Sequence, residues 1–488
     1  MKTYTSDGTF TYNLYDGTST VTSNIEGTSY TVNNITDNTV HQYTVKTNYY
    51  GGESAASNMA GLALGTASLN SLQMAANDKM TITEDSKLTV SGTLSNTNPA
   101  NLVLENGAQL IHNTADVQAT VKKDITAYSS DDNGWYFITS PVIEGITPSE
   151  QNGLIANNFD LYLFDQSQAL EWRNYEAGSF NTLNHKTGYL YANSGKTTLN
   201  FAGTLAASAD ATTLAYDANA TFKGFNLIGN PYPCNTTITN DFYIISGNTV
   251  TLAENGRTIA PCEGVFVKAI SENESVVFNK TTSAKSTASR NCIDLVISQG
   301  KANVDRARVR LNEGIGMEKF SLNDNRSQIS LWQNGQDLAV AYVNGSTEMP
   351  VNFKASKNGT YIISIESESL NLDYLHLIDN MTGEDIDLLT TPNYTFEAKT
   401  TDYASRFRRV FSNCEDAVGD NVPFAYVNNG DIIVNQEGTL QIVDMTGRVI
   451  VSRSGRIQCV LTTGMAPGVY VLRLINTDGV KTQKIVVK

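Results

Sequence analysis

Apolar and polar residues alternate in short runs along almost the whole chain, and Gly, Asn, Asp and Pro interrupt the runs at short intervals. A period of two places successive side chains on opposite faces, so the pattern predicts strands throughout. In residues 1–64, Tyr12 and Leu14, Tyr30 and Val32, and Tyr43 and Val45 mark three strands joined by Asp-Gly and polar turns. In residues 65–127, "TITEDSKL" (81–88) aligns with "VLENGAQL" (103–110) at an offset of 22, which sets Ile82 over Leu104 and Leu88 over Leu110. A short strand and polar turn repeated at that period predicts rungs of a β-solenoid or a small stacked sheet, with ordinary consecutive hairpins as the alternative. The stretch "AASNMAGLALGTASLNSLQMAAND" holds helix-forming residues, but its Gly and Asn punctuation breaks any long helical face.

The clearest duplication lies in residues 128–290. "GWYFITSP" (134–141) recurs as "GFNLIGNP" (224–231), "DLYLF" (160–164) as "DFYII" (241–245), and "KTGYLYAN" (186–193) as "CEGVFVKA" (262–269), with Phe201 and Phe278 closing the two halves. Two similar halves predict a β-sandwich in which each copy supplies one sheet or half-barrel. Residues 291–414 read as a second antiparallel β-sandwich, since "ARVRL", "TYIISIE", "YLHLID" and "RFRRVF" alternate between turn sequences such as "KNG" and "TTPN". The acidic, Pro-terminated "SNCEDAVGDNVP" (412–423) reads as a linker. Six or seven short strands follow, so residues 415–488 read as linker plus a small immunoglobulin-like unit. The expected fold class is all-β: tandem β-sandwich and immunoglobulin-like modules with a short β-solenoid-like segment.

Composition narrows the function classes. At 488 residues the chain is too long for one core, and only 17% of it is charged, a profile of β-rich extracellular modules. A formal charge of −15 argues against a nucleic-acid partner, which would require clustered Lys and Arg. Residues 418–488 carry seven Lys/Arg against five Asp/Glu, so the sign of the charge changes at the linker. Cys234, Cys262, Cys292, Cys414 and Cys459 form no CxxC pair, and a Cys234–Cys262 disulfide stays open. No run reaches the ~20 apolar residues of a transmembrane helix, and "MKTYTSDGTF" lacks the apolar stretch of an export signal.

Residues 1–64, through the "Y-T-V" strand and "GGESAAS", resemble the later strands of a fibronectin type III domain. The opening strands of that family are missing, so the resemblance implies a truncated first domain whose lost upstream part carries the export signal. The last seventy or so residues resemble the C-terminal sorting domain of the type IX secretion system. The match falls on Gly447, Arg448 and Val449, then Pro467, Gly468, Val469 and Tyr470, then Lys484 and Lys488. "DRARVRLNEG", "LHLIDNMTGEDIDLL" and "YASRFRRVF" are similar to modules that precede such tails in surface adhesins and proteases of Gram-negative bacteria. The resemblance implies the type IX machinery as partner, an extracellular or outer-membrane location, and tail removal within 412–423 with attachment to lipopolysaccharide.

Little catalytic chemistry is legible. His41, His112, His185 and His376 lie in different segments without metal spacing, and His376 in "LHLID" reads as a satisfied strand residue. "SGKTT" (194–198) lacks the first glycine of a phosphate loop, because Leu190 stands there, and "NEGIGMEKF" lacks the third glycine of a dinucleotide fingerprint. No cofactor is expected, with one exception: "SSDDNG" offers Asp131 and Asp132 as Ca²⁺ ligands, although turn formation explains these residues equally well. Trp135, Trp172 and Trp332, with Tyr162 and Tyr175, would stack on sugar rings if exposed. Trp172, with Tyr175, is the surface candidate, whereas Trp135 is expected in the core because its duplicate is Phe225. Three functions stay open: a non-enzymatic, surface-displayed adhesin-like or stalk protein exported by its tail and contacting host or matrix glycans or proteins; the non-catalytic C-terminal half of a secreted protease or glycosidase; and a carbohydrate-binding module.

Overall fold

Thr11–Asp16 lies between Ser19–Ile25 and Thr39–Tyr49, antiparallel to both, so the second strand stands at Ser19–Ile25 rather than at Tyr30 and Val32 as expected, and Thr39–Tyr49 pairs onward with Ala60–Leu64. The computed structural model describes residues 10–35, 37–49, 52–129, 134–208, 211–246, 248–281, 291–322, 325–343, 347–367, 372–413, 424–428, 431–460, 465–477 and 479–487. Pairing turns parallel after Ala60–Leu64: Lys79–Ile82 lies beside it, then Leu102–Leu104, then Gln118–Ile125. A second parallel stack joins Thr66–Leu69, Lys87–Val90 and Gln109–Ile111, and a third joins Leu72–Gln73 to Leu94–Ser95. This is a short β-solenoid, and its register sets Ile82 on Leu104 and Leu88 on Leu110, the 22-residue period of the sequence.

Every coil points small or branched apolar residues inward, so Ala63, Ile82, Leu104 and Val121 on one face and Leu88 and Leu110 on the next are all buried. Full burial of such a side chain is worth ~1.5–3 kcal/mol. The coil turns at left-handed residues, Asp85 (φ 55°) and Gly107 (φ 74°), stacked one above the other. Asp85 shows that the torsion alone admits another residue, but a Cβ on Gly107 would run into the Asp85 carboxylate, so the close contact selects glycine there. Strand Thr197–Thr204 pairs antiparallel with Gln118–Ile125 and closes the open edge of the stack.

The duplicated segment folds as two four-stranded sheets of identical topology. Their strand orders are Trp135–Ile138, Tyr189–Asn193, Phe159–Phe164, Trp172–Asn174 and Phe225–Gly229, Gly264–Lys268, Phe242–Ser246, Thr249–Leu252. The registers agree residue for residue: Tyr162 opposes Leu190 as Tyr243 opposes Phe266, and Trp172 opposes Phe164 as Val250 opposes Ile245. The copies meet about a pseudo-twofold, seen in the reciprocal bridges Ile138–Glu263 and Ile228–Thr187. Lys186 (φ 65°) and Cys262 (φ 59°) share a left-handed backbone; their carbonyls accept from Gly229 N–H (2.8 Å) and Thr139 N–H (3.2 Å). Cys234 and Cys262 are buried free thiols, so the disulfide left open by the sequence is not formed. Desolvation pushes each thiol up to about 12.

Residues 291–413 contribute one eleven-stranded sheet folded over its own core, where Phe353, Tyr361, Phe396 and Phe407 interlock. The pairing is not wholly antiparallel as expected: Ala302–Arg310 runs parallel to Gln336–Tyr342. Gln336–Tyr342 is the return strand of a hairpin with Gln328–Gln333 and does not follow Ala302–Arg310 directly, which allows the two paired strands to run in the same sense. Met317, Phe320, Ala339 and Val340 join Phe137, Phe164, Phe225, Tyr243 and Phe266 in one core, so this sheet and the duplicated pair are fused by packing. Alternation in "DRARVRL" turns Ala307 and Val309 into the sheet's own core and Arg306, Arg308 and Arg310 onto the opposite face. There Asp294 Oδ2 accepts from Arg306 (2.7 Å) and Arg308 (2.6 Å), and Asp241 of the second copy accepts from Arg308 (2.7 Å) and Arg310 (2.6 Å).

The C-terminal strands Tyr426–Asn428, Asp431–Asp444, Val449–Val460, Gly468–Asn476 and Gly479–Val487 form one separate sheet. The register of Asp431–Asp444 slips between Ile433 and Gln436, and the sheet curls until Ala425 N–H donates to Gln483 Oε1 (2.9 Å). Its core draws Phe424, Ile432, Leu440, Leu472 and Ile485 from this stretch. Among the described residues no helix is long and apolar enough to cross a membrane.

Candidate functional site

A cleft of about 430 Å³, open to solvent, lies where the first copy meets Ile245 and Asn248 of the second copy, Leu322 and Arg326. Its wall is the first copy's sheet, from which Trp135, Tyr162, Trp172 and Leu190 project on one face. Phe164 holds the Trp172 ring edge-on (centroids 5.1 Å apart) and Phe266 stacks on it (6.1 Å). Trp135 sits between Tyr128 (6.0 Å) and Tyr162 (6.2 Å). Ile245, Asn248, Leu322 and Arg326 form the opposite side. Asn248, left-handed at φ 59°, accepts from Trp135 N–H (3.1 Å) and donates to the Ser129 carbonyl (2.8 Å), which ties the two copies together at the cleft's end.

The volume falls within the ~300–1,000 Å³ of small-molecule sites. Among the described residues, no hydrogen bond is made by Tyr128 Oη, Tyr162 Oη, Trp135 Nε1 or Trp172 Nε1, and none of the four atoms is sealed from solvent. The arrangement therefore presents flat apolar surface edged with unused donors and acceptors.

Of the residues singled out by sequence, Trp172 lines the cleft and Tyr175 does not. The strand ends at Asn174, and Tyr175 in the turn that follows packs instead on Phe159 (5.6 Å) and Phe180 (5.7 Å). Trp135, expected in the core, is only half-buried and forms part of the wall. Trp332 is 43% exposed on the following sheet, away from the cleft. Asp131 and Asp132 lie outside the described residues. His376 Nδ1 meets Asp385 Oδ1 at 2.6 Å, a partnered strand histidine. Tyr128, Asn248, Leu322 and Arg326 carry no local sequence signal, because they join the site only through the docking of three segments.

In the C-terminal sheet, Gly447 (φ 86°) makes the turn after Asp431–Asp444. Asp444 Oδ1 accepts from Thr446 Oγ1 (2.6 Å) and from the N–H groups of Thr446 and Arg448 (both 3.0 Å), which holds its carboxyl below the usual range. Arg448 and Val449 stand exposed at this turn, and Pro467 is exposed ahead of Gly468 and Val469. Tyr470 is buried and donates to the Ala466 carbonyl (2.7 Å). Lys484 is exposed on Gly479–Val487, which pairs with Gly468–Asn476 alone among the described strands. Lys488 lies outside the described residues.

No family model and no curated protein matches the chain. Among solved structures it is similar to one described as "Biofilm associated protein - BSP domain", at 11% identity and a TM-score of 0.14. That similarity covers 76% of this chain and 63% of the other, so the chain spans less than two thirds of the neighbour's length. At such a TM-score the likeness bears on neither fold nor function.

Proposed function

We propose that this chain is a secreted, non-enzymatic, adhesin-like surface protein in which residues 10–413 present a binding surface and the last strands serve as a detachable export label. One observation carries the reading: among the described residues, the core of the C-terminal sheet is assembled from residues of 424–487 and takes none from the fused sheets before it. A unit with a core of its own can be grasped by export machinery and removed without unfolding its cargo. The exposed Arg448 turn and the Lys484 edge strand supply a basic, strand-bearing surface on which a receptor sheet can add. In this reading the partner is the type IX secretion machinery, the destination is the outer-membrane surface, and cleavage within 412–423 precedes attachment to lipopolysaccharide.

The test is export from a bacterium that possesses type IX secretion. The chain placed behind an inner-membrane export signal is expected at the cell surface, and the same protein lacking residues 418–488 is expected to stay in the periplasm. Equal surface display of the two would end the proposal.

A further inference from the structure

We infer that the cleft walled by Trp135, Tyr162 and Trp172 binds a neutral saccharide chain, with sugar rings laid against its aromatic face. The inference rests on the reading of residues 10–413 as the ligand-presenting part of a surface protein.

The wall supplies the first reason. A pyranose ring divides as these side chains do, with C–H groups on its faces and hydroxyls around its rim. It can cover an indole face while its hydroxyls reach the donors at the ring edges. The four unused polar tips supply the second. A wholly apolar ligand would strip Tyr128 Oη, Tyr162 Oη, Trp135 Nε1 and Trp172 Nε1 of water and offer nothing in return, whereas a hydroxyl-rich one replaces the lost bonds.

The duplicate copy supplies an internal control. At the positions of Trp135 and Trp172 it has Phe225 and Val250, without polar atoms in the side chain, and its Tyr243 hydroxyl is committed to the Glu318 carbonyl (2.6 Å). Where this sheet face is used for packing, no polar tip is left over; where it is open, three are, at Trp135, Tyr162 and Trp172, and Tyr128 adds a fourth from beside the sheet. Charge selects within the saccharides. Among the described lining residues the one charged group is Arg326, which already has a partner of its own, so a polyanionic chain would find a single engaged cation in the cleft and a protein of net charge −15 around it. The wall is also held in place before any ligand arrives, by Phe164 and Phe266 behind Trp172 and by Asn248 beneath Trp135.

Affinity electrophoresis of the full chain tests the inference, in gels containing a neutral β-glucan, a galactomannan, a xylan or polygalacturonate. At least one neutral gel is expected to retard the chain. Trp172→Ala is expected to lower that affinity about tenfold or more, the loss of one large aromatic contact surface. Trp332→Ala, on another sheet, is expected to leave it unchanged. Because Trp172 also packs on Phe164 and Phe266, Tyr128→Ala provides a second variant at a side chain that is 46% exposed, with a several-fold loss expected and an unchanged thermal midpoint. Passage through every neutral gel without delay, delay by polygalacturonate alone, or full retention in both Trp172→Ala and Tyr128→Ala would overturn the inference. So would capture of an apolar peptide that neutral polysaccharide does not displace. None of these outcomes touches export, so the saccharide reading can fail while the surface reading stands.

Discussion

The two copies of the duplicated segment share strand order, register and backbone torsions at their pseudo-twofold, yet one face of each has met a different fate. In the second copy, Phe225, Tyr243 and Phe266 lie beneath Met317 and Phe320, and Asp241 anchors Arg308 and Arg310 of the next sheet. In the first copy the equivalent face is partly uncovered: Trp135, Tyr162 and Trp172 border an open cleft, and Asp160, the counterpart of Asp241, is exposed. One scaffold thus serves as a docking surface in one place and as a binding wall in the other. What separates the outcomes is the substitution of polar-tipped aromatics for plain hydrophobes, together with the placing of a single neighbouring loop.

The largest difference between the copies should appear on removing the paired aspartates. Asp241 is buried, and although desolvation alone would raise its carboxyl, Arg310 and Arg308 outweigh that and hold it down. Asp241→Asn leaves the buried Arg310 guanidinium without its carboxylate and takes one of two from Arg308, which keeps Asp294, and is expected to cost about 3–5 kcal/mol of stability. Asp160→Asn is expected to change stability by no more than ~0.5 kcal/mol. Urea unfolding of the two variants side by side measures the contrast, and equal midpoints would break it.

Acid should loosen the seam of one copy more than the other. The first copy joins the solenoid through the ladder of Thr197–Thr204 on Gln118–Ile125. The second leans on the solenoid's end, where Lys280 Nζ donates to the carbonyls of His112 (2.5 Å) and Ala207 (2.6 Å). Burial, and then the Lys280 charge, hold the His112 imidazole down to about 4 from an ordinary 6.5. A group depressed in the folded state contributes stability above its unfolded pKa and loses it as pH falls towards the folded one. Stability is therefore expected to decline between pH 6.5 and about 4, by on the order of 3 kcal/mol from this residue. His112→Gln should flatten that part of a pH series of melting midpoints.

At the pseudo-twofold the copies differ in tightness. A Cβ on Gly188 would lie 2.8 Å from Leu227 Cγ and 2.9 Å from the Ile228 carbonyl oxygen, whereas one on Gly264 would meet nothing nearer than 3.3 Å. Gly188→Ala is expected to cost about 1–3 kcal/mol and Gly264→Ala about 0.5 kcal/mol, read again as unfolding midpoints.

Repetition was the part of this architecture most legible in the sequence, because stacking fixes register. Coils that pair in parallel must superpose Ile82 on Leu104, and duplicated sheets must superpose Tyr162 on Tyr243, so one-dimensional similarity carried three-dimensional pairing. The cleft was legible only in part. Polar neighbours pick out Trp172, whereas the match to Phe225 points Trp135 to the core. The two do point the same way from their strands; what differs is cover, and Met317 and Phe320 come from an irregular segment with no periodic signal. Proximity along the chain groups Tyr175 with Trp172, but the strand stops at Asn174 and the turn carries Tyr175 to Phe159 and Phe180. The parallel sense of one pair in 291–413 likewise left no trace in the alternation.

The finest separation of the copies comes from a single oxygen. Tyr243 donates to the Glu318 carbonyl and accepts from Phe320 N–H (3.2 Å), so Tyr243→Phe leaves a buried N–H without its partner and is expected to cost about 1 kcal/mol. Burial also raises the Tyr243 hydroxyl well above its ordinary 10.0. A raised pKa gives stability that is whole below the unfolded value and is lost as pH climbs beyond it, so wild type is expected to weaken above pH 10 and Tyr243→Phe to weaken less. At the matching position, Tyr162→Phe removes an oxygen that bonds to nothing else among the described residues, and stability is expected to hold within ~0.5 kcal/mol. If the oxygen at 162 is kept for a ligand, that same variant must instead lose retention in the neutral polysaccharide gel that delays wild type. A Tyr162→Phe protein with normal stability and normal retention would leave the hydroxyl without a role and reduce the cleft wall to its aromatic faces. One that lost stability as Tyr243→Phe does would erase the distinction between a face used for docking and a face kept for binding.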